Sequence, residues 1–181
     1  VPTLKVKRGY LLVRDADVGG RLIALAFVGE SRHADGGQVR LRGSMAKESL
    51  NVRLLREGAA YPVFDVLLAD WMRRIFASAV VEARAACLGV WKLDIANPDN
   101  PAAITGPGEL AQLTMWPKLR CRLALFFSQG GRDLARFSSW MYEQNLDEPV
   151  VLASGEAGRL STVLDVSARG IRLKVWPEEI V

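Results

Sequence analysis

The chain has 181 residues and a mass of 19.9 kDa, which is room for one ordinary domain with an annex or for two small domains. Half of the residues are apolar and 24% are charged, a globular composition that excludes a disordered chain. No apolar run approaches the roughly 18–20 residues that span a bilayer; Leu22–Val28 stops at Gly29-Glu30 and Leu123–Phe127 at Ser128-Gln129-Gly130-Gly131, so no membrane partner is expected.

The formal charge of +4 is unevenly placed. Residues 1–92 hold 15 Lys and Arg against 9 Asp and Glu, whereas residues 93–181 hold 9 against 11. An anionic partner is therefore expected at the first half. Two cysteines, Cys87 and Cys121, are too few for a disulfide scaffold. Both fall in apolar helical patterns, where free, buried thiols are expected. The chain opens Val1-Pro2-Thr3 with neither an initiator Met nor a signal-peptide pattern, so its compartment is not readable.

The first elements read as antiparallel β structure. Leu4–Arg8 alternates apolar and basic residues, Tyr10–Val13 is a short apolar run, and Gly19-Gly20 supplies a tight turn. Leu22–Val28 follows as a strand expected to be buried on both faces. Residues 29–44 read as a loop with a small ribbon at Gln38–Arg42. A short helix, Val52–Glu57, is expected next, capped by Ser49 or Asn51 and ended by Gly58. Beyond Pro62 a long helix is predicted from Val66 to Leu88, with Leu68, Met72, Ile75, Phe76, Ala79, Ala83 and Cys87 as its apolar stripe. Gly89 stands where a left-handed C-cap is wanted, and Trp91 is placed to fold back on the helix.

Residues 94–108 contain three prolines and two glycines and read as a linker between a first domain, 1–93, and a second, 109–181. In the second, a helix starts near Glu109 and Pro117 breaks or restarts it. Leu119, Leu123 and Phe126 share a face. A further helix, Arg132–Gln144, lines up Leu134, Phe137 and Met141. Val150–Ala153, Ser161–Val166 and Ile171–Trp176 read as a three-stranded meander. The fold class expected is α+β.

Most catalytic vocabularies are missing. His33 is the only histidine and lies in a polar, Gly-rich loop, which leaves no multi-imidazole metal site and no plausible Ser-His-Asp triad. Neither a phosphate loop nor a G-x-G-x-x-G fingerprint occurs, and Ser154-Gly155-Glu156-Ala157-Gly158 reads as a hairpin turn. Asp15 and Asp17 beside Gly19-Gly20 read as turn formers rather than as a hard-cation cage. No metal ligands are assigned.

One ordered series carries more. Asp17-Val18-Gly19-Gly20-Arg21 leads directly into the strand Leu22–Phe27. Asn51-Val52-Arg53-Leu54-Leu55-Arg56-Glu57-Gly58-Ala59-Ala60 follows, and Glu82-Ala83-Arg84-Ala85-Ala86-Cys87-Leu88-Gly89-Val90-Trp91 ends the long helix. The series resembles the staphylococcal nuclease-like (thermonuclease) family, with its D-x-x-G-R turn, its N-x-x-L-v-r-x-G-x-A helix and its E-A-r-x-A helix stopping at G-x-W. The resemblance covers about residues 4–92, the second half of that family's domain.

The resemblance implies an OB-type five-stranded barrel with packed helices, a shape suited to oligonucleotides. It also implies calcium-dependent hydrolysis of DNA or RNA phosphodiesters, in which two arginines clamp the phosphate and a glutamate assists the attacking water. Arg21 matches the second of those arginines and is the one catalytic residue carried over. Tyr10 and Tyr61 are candidates for stacking on bases, with packing the commoner role for such tyrosines. The family's D-G-D-T and D-x-P-E motifs do not occur, so the catalytic set in this chain is incomplete, the remainder being degenerate, deleted or upstream of Val1. A half-barrel leaves an open edge, to be covered by the annex, a second copy of the chain or an upstream segment. Two functions are therefore expected: a nuclease-family protein that grips and, with a full catalytic set, cleaves nucleic acid; or a non-catalytic interaction module on the same fold.

Overall fold

The computed structural model describes residues 8–17, 19–64, 68–168 and 170–181. The expected strand at Leu4–Arg8 lies outside these residues except for Arg8, and the expected start of the long helix at Val66 also lies outside them. Two hydrophobic cores organise the chain, one on each side of residue 94.

The first core is built by one hairpin and three helices. Strands β1 (Gly9–Ala16) and β2 (Leu22–Val28) pair antiparallel, with Tyr10 opposite Phe27 and Ala16 opposite Leu22. A bulge at Arg14 interrupts the ladder, because Val13 faces Ala24 while Asp15 faces Ile23. The α+β class holds, but among the described residues this sheet has two strands and there is no closed barrel. The sheet therefore buries one face only. Leu25 and Phe27 point into the core, whereas Leu22, Ile23 and Val28 are exposed, which corrects the expectation of a strand buried on both faces.

The expected ribbon at Gln38–Arg42 does not form. No strand pairs with this segment among the described residues, so it runs as irregular chain. Helix α1 (Gly43–Glu48) was not anticipated. Ser49 explains why: its hydroxyl donates to the Ala46 carbonyl at the end of α1 and accepts from the Val52 N–H at the start of α2 (Leu50–Arg56). A serine that looks like a simple N-cap is thus a buried hinge between two short helices.

Helix α3 (Asp70–Ala85) buries Phe76, Ala79, Val80 and Ala83. Its C-terminus corrects two expectations. The left-handed residue that ends it is Cys87, at φ +50°, and not Gly89. The Cys87 N–H donates to the Arg84 carbonyl and the Leu88 N–H to the Ala83 carbonyl, which is the Schellman pattern with cysteine in the position glycine usually takes. Cys87 is consequently turned out of the core and is exposed, as is Cys121, so the two expected buried thiols are both on the surface.

The second core takes in α4 (Pro107–Gln112), α5 (Pro117–Ser128) and α6 (Phe137–Glu143), each of the first two opening on a proline at its first position. Phe137 and Leu119 are fully buried. The Pro/Gly-rich stretch between the two halves packs closely, contributing Ala96, Ala102 and Ile104 to this second core.

The C-terminal strands form two hairpins in place of the expected meander. β3 (Pro149–Val151) pairs with β4 (Ala157–Arg159), and β5 (Leu164–Ser167) with β6 (Gly170–Leu173). Gly155, at φ +90°, turns the chain back at once into β4. Asp147 then intervenes, its carboxylate accepting from both the N–H and the hydroxyl of Ser161. That captures the residue expected to begin a strand and holds Leu160–Val163 in a 3-10 turn.

No helix among the described residues is long and apolar enough to cross a membrane.

Candidate nucleic-acid interface

The glycine-arginine corner is a closed turn in which each motif residue has a geometric task. The Asp17 N–H donates to the Arg21 carbonyl at 2.9 Å and the Gly20 N–H to the Asp17 carbonyl at 2.8 Å. Asp17 Oδ1 accepts from the N–H groups of Gly19 and Arg21, both at 2.9 Å, and Oδ2 accepts from Arg21 Nε at 2.7 Å. The Arg21 N–H, with the Arg21 side chain and the Gly19 N–H, holds the Asp17 carboxyl below its usual range. Gly20 sits at φ +75°, which glycine reaches without steric cost. The Arg21 side chain is 85% exposed at the hairpin tip.

Two further motif segments fasten α2, one to the hairpin and one to the end of α3. Asn51 works as a short strand mimic, its Oδ1 accepting from the Ala26 N–H and its Nδ2 donating to the Ala24 carbonyl. Gly58 and Gly89 lie back to back. A Cβ on Gly89 would fall 2.1 Å from the Gly58 oxygen, and one on Gly58 would fall 2.3 Å from the Leu88 oxygen. The Val90 N–H donates to the Gly58 carbonyl at 2.8 Å across this contact. Trp91 is then buried in the first core and meets Tyr61 edge-on, with ring centres 5.0 Å apart.

The three residues expected to touch nucleic acid do not come together. Tyr10 stacks on Phe27 across the hairpin at 4.9 Å, six residues along β1 from the turn and so roughly 20 Å from it. Tyr61 joins the two cores, and its hydroxyl donates to Asp94 Oδ1. Desolvation and that hydrogen bond push the Tyr61 phenol far above its ordinary range, and desolvation also raises the Asp94 carboxyl. Arg21 alone of the three stands clear of the protein.

An apolar groove of about 600 Å³ opens between β1, β2 and α3, walled by Leu12, Leu25, Leu41, Met72 and Phe76. Arg14 and Asp15 lie on its rim, Arg14 being the bulged residue. Arg21 does not line it.

The residues at the corner do not fit a calcium ion. Asp17 has both oxygens engaged in the turn, and Asp15 Oδ1 accepts from the Ala16 N–H, whereas calcium takes six to eight free oxygen ligands. Among the described residues no group of three His, Cys, Asp or Glu gathers as metal ligands would.

The charge pattern is more informative than any single residue. In the first half Arg14, Arg32, Arg40, Arg42, Lys47, Arg74 and Lys92 are exposed, and among the described residues none has a carboxylate partner. The acidic residues nearby are mostly committed: Asp17, Glu30, Glu57, Asp70 and Glu82 each pair with an arginine. Sequence reasoning counted this excess of charge but had no means of telling paired cations from unpaired ones.

Compared with known proteins, the chain matches no family model, no curated protein and no solved structure.

Proposed function

We propose that residues 8–92 are a staphylococcal nuclease-like half-barrel that binds the phosphodiester backbone of nucleic acid, with Arg21 as one phosphate contact. The observation that carries this reading is the set of seven exposed cations on the same half of the chain that have no carboxylate partner among the described residues. Unpaired guanidinium and ammonium groups keep their full charge for a polyanion and release its counterions on binding. The nuclease-like reading is supported by the tasks of the motif residues: Asp17 and Gly20 close the hairpin turn, Asn51 bonds α2 to β2, and Gly58 and Gly89 seat the end of α2 against the segment that follows α3. Binding is the better-supported half of the proposal. Hydrolysis would need a metal ligand set and a general base that no described residues supply at the corner.

A second reading, protein docking, rests on a different observation, the open apolar groove on the hairpin. The two readings separate in one titration of a fluorescein-labelled single-stranded DNA by anisotropy. Nucleic-acid binding predicts saturable binding near 50 mM salt that weakens steeply on going to 200 mM. It also predicts weaker binding by Arg21→Glu. Absence of binding by the native chain at low salt rejects the proposal and leaves docking.

A further inference from the structure

A second basic feature lies on the helical side, away from the glycine-arginine corner. Lys47 in the last turn of α1, Arg56 in the last turn of α2 and Arg74 on α3 surround one open trough of about 390 Å³. Trp71 forms part of its wall, and Ser78, one turn beyond Arg74, supplies a hydroxyl. Glu82, the one carboxylate lining the trough among the described residues, is already engaged by Arg56 at 3.5 Å and by the Ser78 hydroxyl at 3.3 Å. Lys47 and Arg74 pair with no carboxylate among the described residues.

Helix C-termini favour cations, which accounts for Lys47 and Arg56 as local choices. Arg74 stands in the second turn of α3, near the N-terminal end, where the helix dipole does not favour a cation. Three helices thus deliver three positive charges to one concavity, next to a half-buried indole. The volume exceeds what one phosphate fills, and the trough is open at the surface, which suits a chain of phosphates better than a single anion. An indole beside cations is the pairing that single-stranded nucleic-acid binders use, the cations tracking the backbone and the ring taking a base face.

We propose that this α1–α3 trough is a second phosphodiester-binding track, in which Lys47 and Arg74 contact successive backbone phosphates of a single-stranded nucleic acid while Trp71 flanks a base or sugar. The proposal rests on the nucleic-acid reading above and extends it to the helical face.

The test compares the full chain with Lys47→Glu/Arg74→Glu, and with Arg132→Glu/Arg136→Glu as a control of the same charge change on the other half. Each is titrated against a labelled 20-nucleotide single-stranded DNA across a salt series, with circular dichroism to verify folding. Lys47→Gln/Arg74→Gln replaces the reversal if the latter fails to fold. Loss of two phosphate contacts lowers the log–log salt slope by about 1.4 and weakens low-salt binding about tenfold or more, with the control close to native. Equal losses in variant and control overturn the trough, leaving net charge as the cause. Native-like binding by the trough variant alongside weakened binding by Arg21→Glu overturns the trough and leaves the corner standing. No binding by the native chain overturns both.

Discussion

The contact between Gly58 and Gly89 makes the sharpest prediction about what holds the first core together. In Gly89→Ala the new methyl would lie 2.1 Å from the Gly58 oxygen and 2.6 Å from its carbonyl carbon, so the two chain segments must part by about 1 Å. Parting breaks the Val90 N–H to Gly58 carbonyl bond, worth about 1 kcal/mol. The left-handed backbone at φ +52° adds about 1–2 kcal/mol for a residue with a Cβ. Displacing packed neighbours adds about 1–3 kcal/mol. The expected loss is therefore about 3–6 kcal/mol, a large share of the roughly 5–15 kcal/mol that a domain has. Gly20→Ala is the matched control, because it also has a positive φ, +75°, but nothing lies within 4 Å of the added Cβ. It should lose only the backbone part, about 1–2 kcal/mol. Urea unfolding of both variants, followed by tryptophan fluorescence and circular dichroism, measures the difference. Equal destabilisation of the two would refute the back-to-back contact as a source of stability.

Other substitutions probe the remaining fastenings. Asn51→Ala removes the side chain that pairs with β2 and should cost about 1–3 kcal/mol by leaving the part-buried Ala26 N–H without an acceptor; faster hydrogen exchange at that amide is the specific sign. Cys87→Gly should stabilise by about 1 kcal/mol, since glycine relieves the left-handed strain at the end of α3, and an unchanged denaturation midpoint would contradict the Schellman assignment. Tyr61→Phe should cost about 1–2 kcal/mol through loss of the Asp94 hydrogen bond at the seam between the cores, readable in a thermal melt. The Asp17 carboxyl has a folded pKa below its ordinary 3.8, so its contribution is complete above pH 3.8 and fades as pH falls through the lowered value. Urea midpoints at pH 5 and pH 3 should accordingly fall less in Asp17→Asn than in the native chain.

Local signals located the hairpin turn, the Ser49 cap, the helix restarted at Pro117 and the phenylalanine and leucine faces of the second core. These depend on residues near one another in the chain, and the periodicity records them. What stayed hidden depends on partners far away. Ser161 alternates correctly for a strand, but the carboxylate of Asp147, 14 residues earlier, takes it first. Cys87 follows the apolar stripe, but the helix ends two residues before it and turns it outward. Tyr61 has the composition of a base-stacking residue, yet Asp94 and Trp91 consume its hydroxyl and one edge of its surroundings. At the candidate interface, Arg21 was found through its motif. The trough of Lys47, Arg56 and Arg74 was not, because three helices bring those residues together across a span of 27 positions and no spacing rule announces them.

Photo-crosslinking of the full chain to a single-stranded DNA carrying 4-thiothymidine, with peptide mapping by mass spectrometry, tests the assignment of nucleic-acid contact to the basic half most directly. Cross-links confined to residues 8–92, reduced by added salt, are the predicted result. Cross-links falling chiefly in residues 109–181, or an absence of any at low salt, would contradict it.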